Sequence, residues 1–261
     1  MTTPDDARGI LYPTRLPTFH RISAPPGLEP LLRWFWIPQW NLAPGRTSRQ
    51  EILPFPAANL VVQPGAVSLT GPSTRVSFRD LTGTGWAVGA LLRPAGVVQC
   101  HPEPGRLRDT EVPFEAPDLL ASVEAAMAHD AGATARGEAA SAFVRWAEDR
   151  MVPPDAAGRL ANAMEEMIAT DRSIVRVEQV ADRLGVSVRG VQRLARSHVG
   201  VPPLAIIRRY RLQEAAVRLR EEPAVTIADI AAELGYADHA HLSRDFRTVL
   251  GLTPRTYRGG Q

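Results

Sequence analysis

The sequence predicts an α+β chain: a β-rich front half, a helical stretch, and an all-α C-terminal domain over residues 171–261. Three observations predict it. Short extended runs broken by Pro/Gly turns fill residues 31–101, the apolar residues then shift to helical spacing, and one helix-turn-helix pattern occurs twice near the end. A chain of 261 residues that is 44% hydrophobic is long enough for two folded domains.

Residues 1–20 read as a proline-punctuated arm. Extended runs come next at Leu32–Trp36, Gln50–Leu53, Asn59–Val62, Ala66–Leu69, Arg75–Phe78, Trp86–Leu92 and Val97–Cys100. Pro44-Gly45, Pro64-Gly65, Gly71-Pro72 and Pro94-x-Gly96 break them up, as in a small barrel or sandwich. Residues 1–116 are therefore expected to form a β-rich domain. Helices are predicted from Pro117 to Asp130, Glu138 to Arg150 and Asp155 to Thr170, with Gly132 to Gly137 separating the first two. This stretch, 117–170, is the expected seat of any dimer contact. Ala169 to Ile174 reads as the domain linker, so a fragment beginning near Asp171 is expected to fold and to keep whatever binding the repeated pattern supplies.

In the first copy of the repeat, Val177, Val180, Ala181 and Leu184 fall at i, i+3, i+4 and i+7; Ile227, Ile230, Ala231 and Leu234 do so in the second. Gly185 and Gly235 end these helices, and Ser187 and Asp238 are good N-caps for the next. Thr226 with Asp229 resembles a capping box, whereas its counterpart Arg176 is a poor cap. The second helix of each copy has two faces. Arg189, Gln192, Arg193 and Arg196 line one side in the first copy; His239, Ala240, Ser243, Arg244 and Arg247 do so in the second. Arg and Gln are the side chains that pair bidentately with guanine and adenine edges in the major groove. For one helix, a merely solvated basic face would be the simpler reading. Two copies, each behind a glycine turn, favour DNA. Pro203 to Arg220 reads as a single helix holding the motifs apart, which suits recognition helices in successive major-groove segments.

Several of these residues together resemble the AraC/XylS family of bacterial transcription regulators: Ala181-x-x-Leu184-Gly185-x-Ser187, Gln192-Arg193-Leu194, Gly200-x-x-Pro203, Tyr210-Arg211-Leu212-x-x-Ala215, Ile230-Ala231-x-x-Leu234-Gly235-Tyr236 and Phe246-x-x-x-x-Gly251-x-x-Pro254-x-x-Tyr257-Arg258. The resemblance implies base contacts from Arg189, Gln192, Arg193, His239, Ala240, Ser243 and Arg244. This chain departs from the family at Ala195, where an aromatic is usual, and at Ala240, where a polar contact is common. Binding is therefore expected to lean on the first motif. The front half, through Trp34-x-Trp36, Ile52-Leu53-Pro54, Gly71-Pro72 and Leu92-Arg93-Pro94-x-Gly96, is similar to the cupin-like regulatory domains that precede such pairs, domains that bind effectors or dimerise.

Charge obeys the same division: residues 171–261 carry 15 arginines against 10 acids, the first 170 residues 15 against 18, and no lysine occurs. Trp34 and Trp36 share one strand face and, with Trp40 and Trp86, are the candidate lining of an effector pocket, set against the simpler reading as core. His20 and His101 are the only histidines in residues 1–116, too few for a cupin metal centre, so no metal or other cofactor is expected. One cysteine, Cys100, cannot build the four-cysteine zinc site of DNA-repair methyl acceptors, and reads as a small buried hydrophobe. No catalytic residues are assigned, because no nucleophile triad, phosphate loop or dinucleotide fingerprint occurs. The expected partners are double-stranded DNA, RNA polymerase, a small-molecule effector and a second copy of the chain. Without a signal peptide or an 18-residue apolar stretch, the expected setting is cytoplasmic, away from membranes. A rival reading makes the front domain a docking module for a partner protein, with DNA as its tether.

Overall fold

A computed structural model describes residues 18–128 and 132–259. Of the arm expected over residues 1–20, the first 17 residues lie outside the described ones, and residues 18–20 open a strand rather than continue an arm. The strands are β1 (Thr18–Ser23), β2 (Leu32–Asn41), β3 (Thr47–Ile52), β4 (Asn59–Gln63), β5 (Ala66–Thr70), β6 (Ser77–Thr82), β7 (Thr84–Trp86), β8 (Val88–Leu92) and β9 (Glu111–Pro113). They pair antiparallel in the order β1-β2-β8-β4-β5-β9, with β7 also on β2, while β3 and β6 form a separate ribbon. Alternation assigns the faces. Phe35, Ile37, Leu60, Val62, Val88 and Ala90 point into the main core. Two helices, α2 (Pro117–Met127) and α3 (Ala133–Arg150), cover that face with Leu119, Val123, Ala139 and Phe143. Phe143 meets Phe35 with ring centroids 5.7 Å apart.

Two local expectations are corrected. Val97–Cys100 is the end of helix α1 (Pro94–Cys100) rather than a strand. A short apolar run has no decisive period, and here Pro94 in the first turn favours the helix. Gly96 lets the helix lie against the chain at Leu31, whose carbonyl oxygen would be 2.2 Å from any Cβ at that position. Helix α3 starts at Ala133, so Gly137 sits inside it instead of separating two helices. The surrounding alanines outweigh the roughly 1 kcal/mol that an interior glycine costs.

The remaining helices are α4 (Ala156–Thr170), α5 (Val177–Leu184), α6 (Val188–Leu194), α7 (Pro203–Glu221), α8 (Ile227–Glu233), α9 (His239–Leu250) and α10 (Pro254–Gly259). A π-helical turn, Ala195–Val199, extends α6. They enclose two further cores that meet along α7. The first joins Ala161, Met164 and Ile168 of α4 to Val180, Val191, Ala195, Ile206 and Tyr210. The second joins Leu212, Ala216 and Leu219 of α7 to Ile230, Leu242, Phe246 and Tyr257, with Leu53 inserted from the front half. Leu53 is 2% exposed.

Charged and aromatic contacts knit the sheet to these helices. Glu165 of α4 is 2% exposed and accepts from Arg33 at 2.7 Å and from the Tyr210 hydroxyl. Neighbouring Glu166 takes Arg33 at 2.8 Å and Arg93 at 2.7 Å. A buried carboxylate needs such partners, since unpaired it would cost several kcal/mol. Among the described residues, no helix is long and apolar enough to cross a membrane.

Candidate DNA-binding surface

Both motifs are built from their own sequence signals. Gly185 and Gly235 adopt left-handed φ values of 64° and 68°, which stop α5 and close the turn after α8. Ser187 Oγ then accepts the Gly190 N–H at 3.1 Å, and Asp238 Oδ1 accepts the His241 N–H at 2.6 Å, so each recognition helix begins at its predicted cap. Thr226 takes the Asp229 N–H at 3.1 Å. The weak cap at Arg176 is compensated from the other end: Gln179 Oε1 accepts the N–H groups of Val175 and Arg176, both at 2.9 Å.

With Val191 and Leu194 buried beneath α6, and Leu242, Phe246 and Val249 beneath α9, the opposite faces are left to solvent. Arg189, Gln192, Arg193 and Arg196 are exposed on the first; His239, Ala240, Arg244 and Arg247 are exposed on the second, with Ser243 half-buried between them. Among the described residues, none of these five arginines is held in an ion pair. Such a face offers forked donors and charge without first breaking an internal bond.

The connecting helix α7 separates two neighbouring arginines. Arg208 is exposed, whereas Arg209 is half-buried and donates to the Thr74 carbonyl. Burial lowers the Arg209 pKa, against the pull of Asp245 and Asp109. Arg208 is thus free to meet a phosphate and Arg209 is committed to the fold. Lower on α7, Arg218 donates to Glu222 at 2.9 Å and to Glu233 of α8 at 2.6 Å, clamping the second motif to the helix. Its pKa is raised, first by the Glu222 hydrogen bonds.

The four tryptophans do not converge. Trp34, Trp36 and Trp40 lie on the sheet face away from α2 and α3. Trp34 contacts Phe55 edge-on at 6.2 Å, with the Arg21 guanidinium 4.6 Å from its ring centre. The Trp36 indole N–H donates to Asn59 Oδ1 at 2.8 Å, and its ring occupies the space a Cβ would need at Gly89. Trp40 does the same over Gly85 and donates to the Thr82 carbonyl at 3.2 Å. Trp86 packs against the main core on the other face. Cys100 is half-buried, and burial pushes its thiol up to about 12, so it holds its proton. His101 accepts the Glu103 N–H at 3.1 Å in a surface loop.

Sequence comparison agrees with this geometry. Residues 180–260 match a family model described as a helix-turn-helix domain, and residues 20–113 match a domain of unknown function (DUF6597). The chain is 36% identical over 84 residues to the HTH-type transcriptional activator RhaS of Escherichia fergusonii, a match covering 32% of this chain and 30% of that one. It is 33% identical over 114 residues to a putative AraC-like transcription regulator of Streptomyces lividans, covering 41% and 37%. These matches span about a third of the relatives' lengths. The solved structure of ToxT from Vibrio cholerae O395 aligns over 86% of this chain and 97% of that one, at 12% identity and a TM-score of 0.46.

Proposed function

We propose that the chain is a transcription regulator of the AraC type, sequence-specific and placing α6 and α9 in successive major-groove segments. The observation that carries this reading is the pair of capped helices presenting Arg189, Gln192, Arg193 and Arg196, and His239, Ala240, Ser243, Arg244 and Arg247, with the arginines unpaired. Residues in the early turns would read bases; Arg196 and Arg208 would hold phosphates. RNA polymerase is the partner through which occupancy of an operator would act on transcription.

Paired substitutions test this, after the preferred site is obtained by selecting and sequencing bound DNA. Arg193→Ala should cost about 1–3 kcal/mol at that site and relax preference at one base position. Arg208→Ala should weaken binding to all sequences alike and shallow the salt dependence by about one counterion. An unchanged base-preference profile for Arg193→Ala, with a lowered melting temperature, would show that this arginine serves the fold.

For the front half we propose a regulatory role: sensing a small molecule or mediating dimerisation. The face bearing Trp34, Trp36 and Trp40 is aromatic, a composition suited to an apolar small molecule. A thermal-shift screen against metabolites addresses this directly, since a ligand that binds the folded state raises its melting temperature. Stabilisation that depends instead on protein concentration or on a second protein favours the dimer or the docking module.

A further inference from the structure

The two motifs have separate cores and share α7, a helix of 19 residues spanning about 28 Å. Through α7 alone, the relative orientation of the motifs rests on one helix and the packing of each motif against it. A second tie exists, and it comes from the front half. At one end, the Pro104–Gly105 backbone presses on Gly200, the residue after the first recognition helix. Gly200 has φ 87°, and a Cβ there would lie 2.3 Å from the Pro104 carbonyl oxygen. At the other end, the Val76 N–H donates to the carbonyl of Val249 in the last turn of α9 at 3.0 Å, and the Thr74 carbonyl takes Arg209. Asp109 joins the two ends. Its carboxylate accepts the Thr74 N–H at 2.5 Å and the Thr74 hydroxyl at 2.6 Å, and its own N–H donates to the Pro72 carbonyl at 3.1 Å. Among the described residues, Asp109 is the one non-glycine with positive φ, at 58°. That conformation is disfavoured for a residue with a side chain and persists where surrounding bonds over-determine it.

Resting on the DNA reading above, we propose that Asp109 is a specificity-determining, positioning residue for DNA recognition. By locking residues 72–76 and 104–109 into one strap from Gly200 to Val249, it sets the separation and angle of the recognition helices. These in turn set the spacing between the two base-pair blocks that the protein accepts. Moving one block by a single base pair shifts it about 3.4 Å and rotates it about 35° around the duplex, which a rigid pair of helices cannot follow.

The test uses the full chain and duplexes carrying the selected blocks at the native spacing and at one base pair more or less. The parent should lose about tenfold or more in affinity at either altered spacing, a misfit like one mismatched base pair. Asp109→Gly relieves the backbone strain but removes the carboxylate, so it should fold, keep its single-base preferences, and lose less than about threefold on the same shifts. Asp109→Asn, which tolerates the left-handed region and keeps one acceptor, should restore most of the discrimination. A parent indifferent to spacing, or an Asp109→Gly variant with the parent's spacing profile, overturns the proposal. If Asp109→Gly does not fold, Thr74→Val decides by the same criterion. Arg193→Ala measured alongside separates the two levels: relaxed base preference there with an unaltered Asp109→Gly profile sinks only the strap, whereas unaltered base preference sinks the DNA reading itself.

Discussion

The two helix-turn-helix motifs share a pattern in sequence but are completed by different parts of the chain. The first closes its core with α4, from the stretch that precedes the repeat: Ala161 and Met164 are fully buried against Val180, Val191 and Ile206. The second closes its core with α10 and with Leu53, which reaches in from the far end of the β-ribbon. Neither repeat is a self-sufficient unit. A pattern of eight or so apolar positions specifies two helices and their turn, but it buries too little surface to stand alone, so each copy recruits a neighbour.

The largest effect should come from removing the first motif's outside partner. A fragment starting at Asp155, the N-cap that accepts the Gly158 N–H at 2.7 Å, keeps α4; one starting at Asp171 does not. Losing Met164 and Ile168 together strips two large side chains from the core, each worth about 2–5 kcal/mol when truncated. We expect 155–261 to melt cooperatively and 171–261, the fragment that the sequence alone expects to fold and to bind DNA, to lack a cooperative transition by circular dichroism, because its first core has lost α4. Equal melting temperatures would place the domain boundary at residue 171 and α4 outside the unit.

The second motif's partner is tested by a single residue. Leu53→Ala should cost about 2–5 kcal/mol through the cavity it opens beneath α7 and α9. Because the cores are separate, that loss should stay local: amide exchange should accelerate in α8 and α9 while α5 and α6 stay protected. Equal acceleration in both motifs would mean that the two cores unfold as one.

What was legible in the sequence divides along the same line. The caps, the glycine turns and the exposed basic faces are local, fixed within four to seven residues, and each recognition helix begins where Ser187 and Asp238 place it. Leu53 burying itself 159 residues before Leu212, Glu165 meeting Arg33 and Tyr210, and Asp109 fastening Thr74 depend on long-range packing, which leaves no periodic trace. The misread run Val97–Cys100 and the unforeseen strand at Thr18–Ser23 share one cause. In short segments, packing against a neighbour outweighs intrinsic preference, here Leu31 under Gly96 and β2 beside β1. The shared face of Trp34 and Trp36 is legible by alternation along one strand, whereas Trp86 falls on the opposite face because β7 pairs it with Gln39, a relation between strands that alternation alone does not carry.

The smallest expected effect is a difference in acid sensitivity. The π-helical turn that ends the first recognition helix carries His198, and 51 residues later the second copy has Val249, so only the first motif places an imidazole at this point. Burial lowers the His198 pKa from 6.5, against the pull of Asp155 and the Leu194 carbonyl. In the unfolded chain the same ring takes up a proton at the ordinary imidazole value. As pH falls through about 6.5, the unfolded state therefore binds more protons than the folded one, and stability is lost on the acid side and retained above it. His20 in the front half shares this direction, from burial and then Arg136, so the parent's total pH dependence contains both groups. Replacing His198 by Gln keeps a polar partner for Ser197, whose Oγ lies 2.8 Å from Nδ1, and removes one titration. The melting temperature of His198→Gln should fall less than the parent's between about pH 7.5 and 5.5, the range that brackets the imidazole. In the parent, acid should raise amide exchange in α6 before α9. Superimposable pH profiles for parent and variant would clear His198 of any part in the acid loss and leave His20 to carry the dependence.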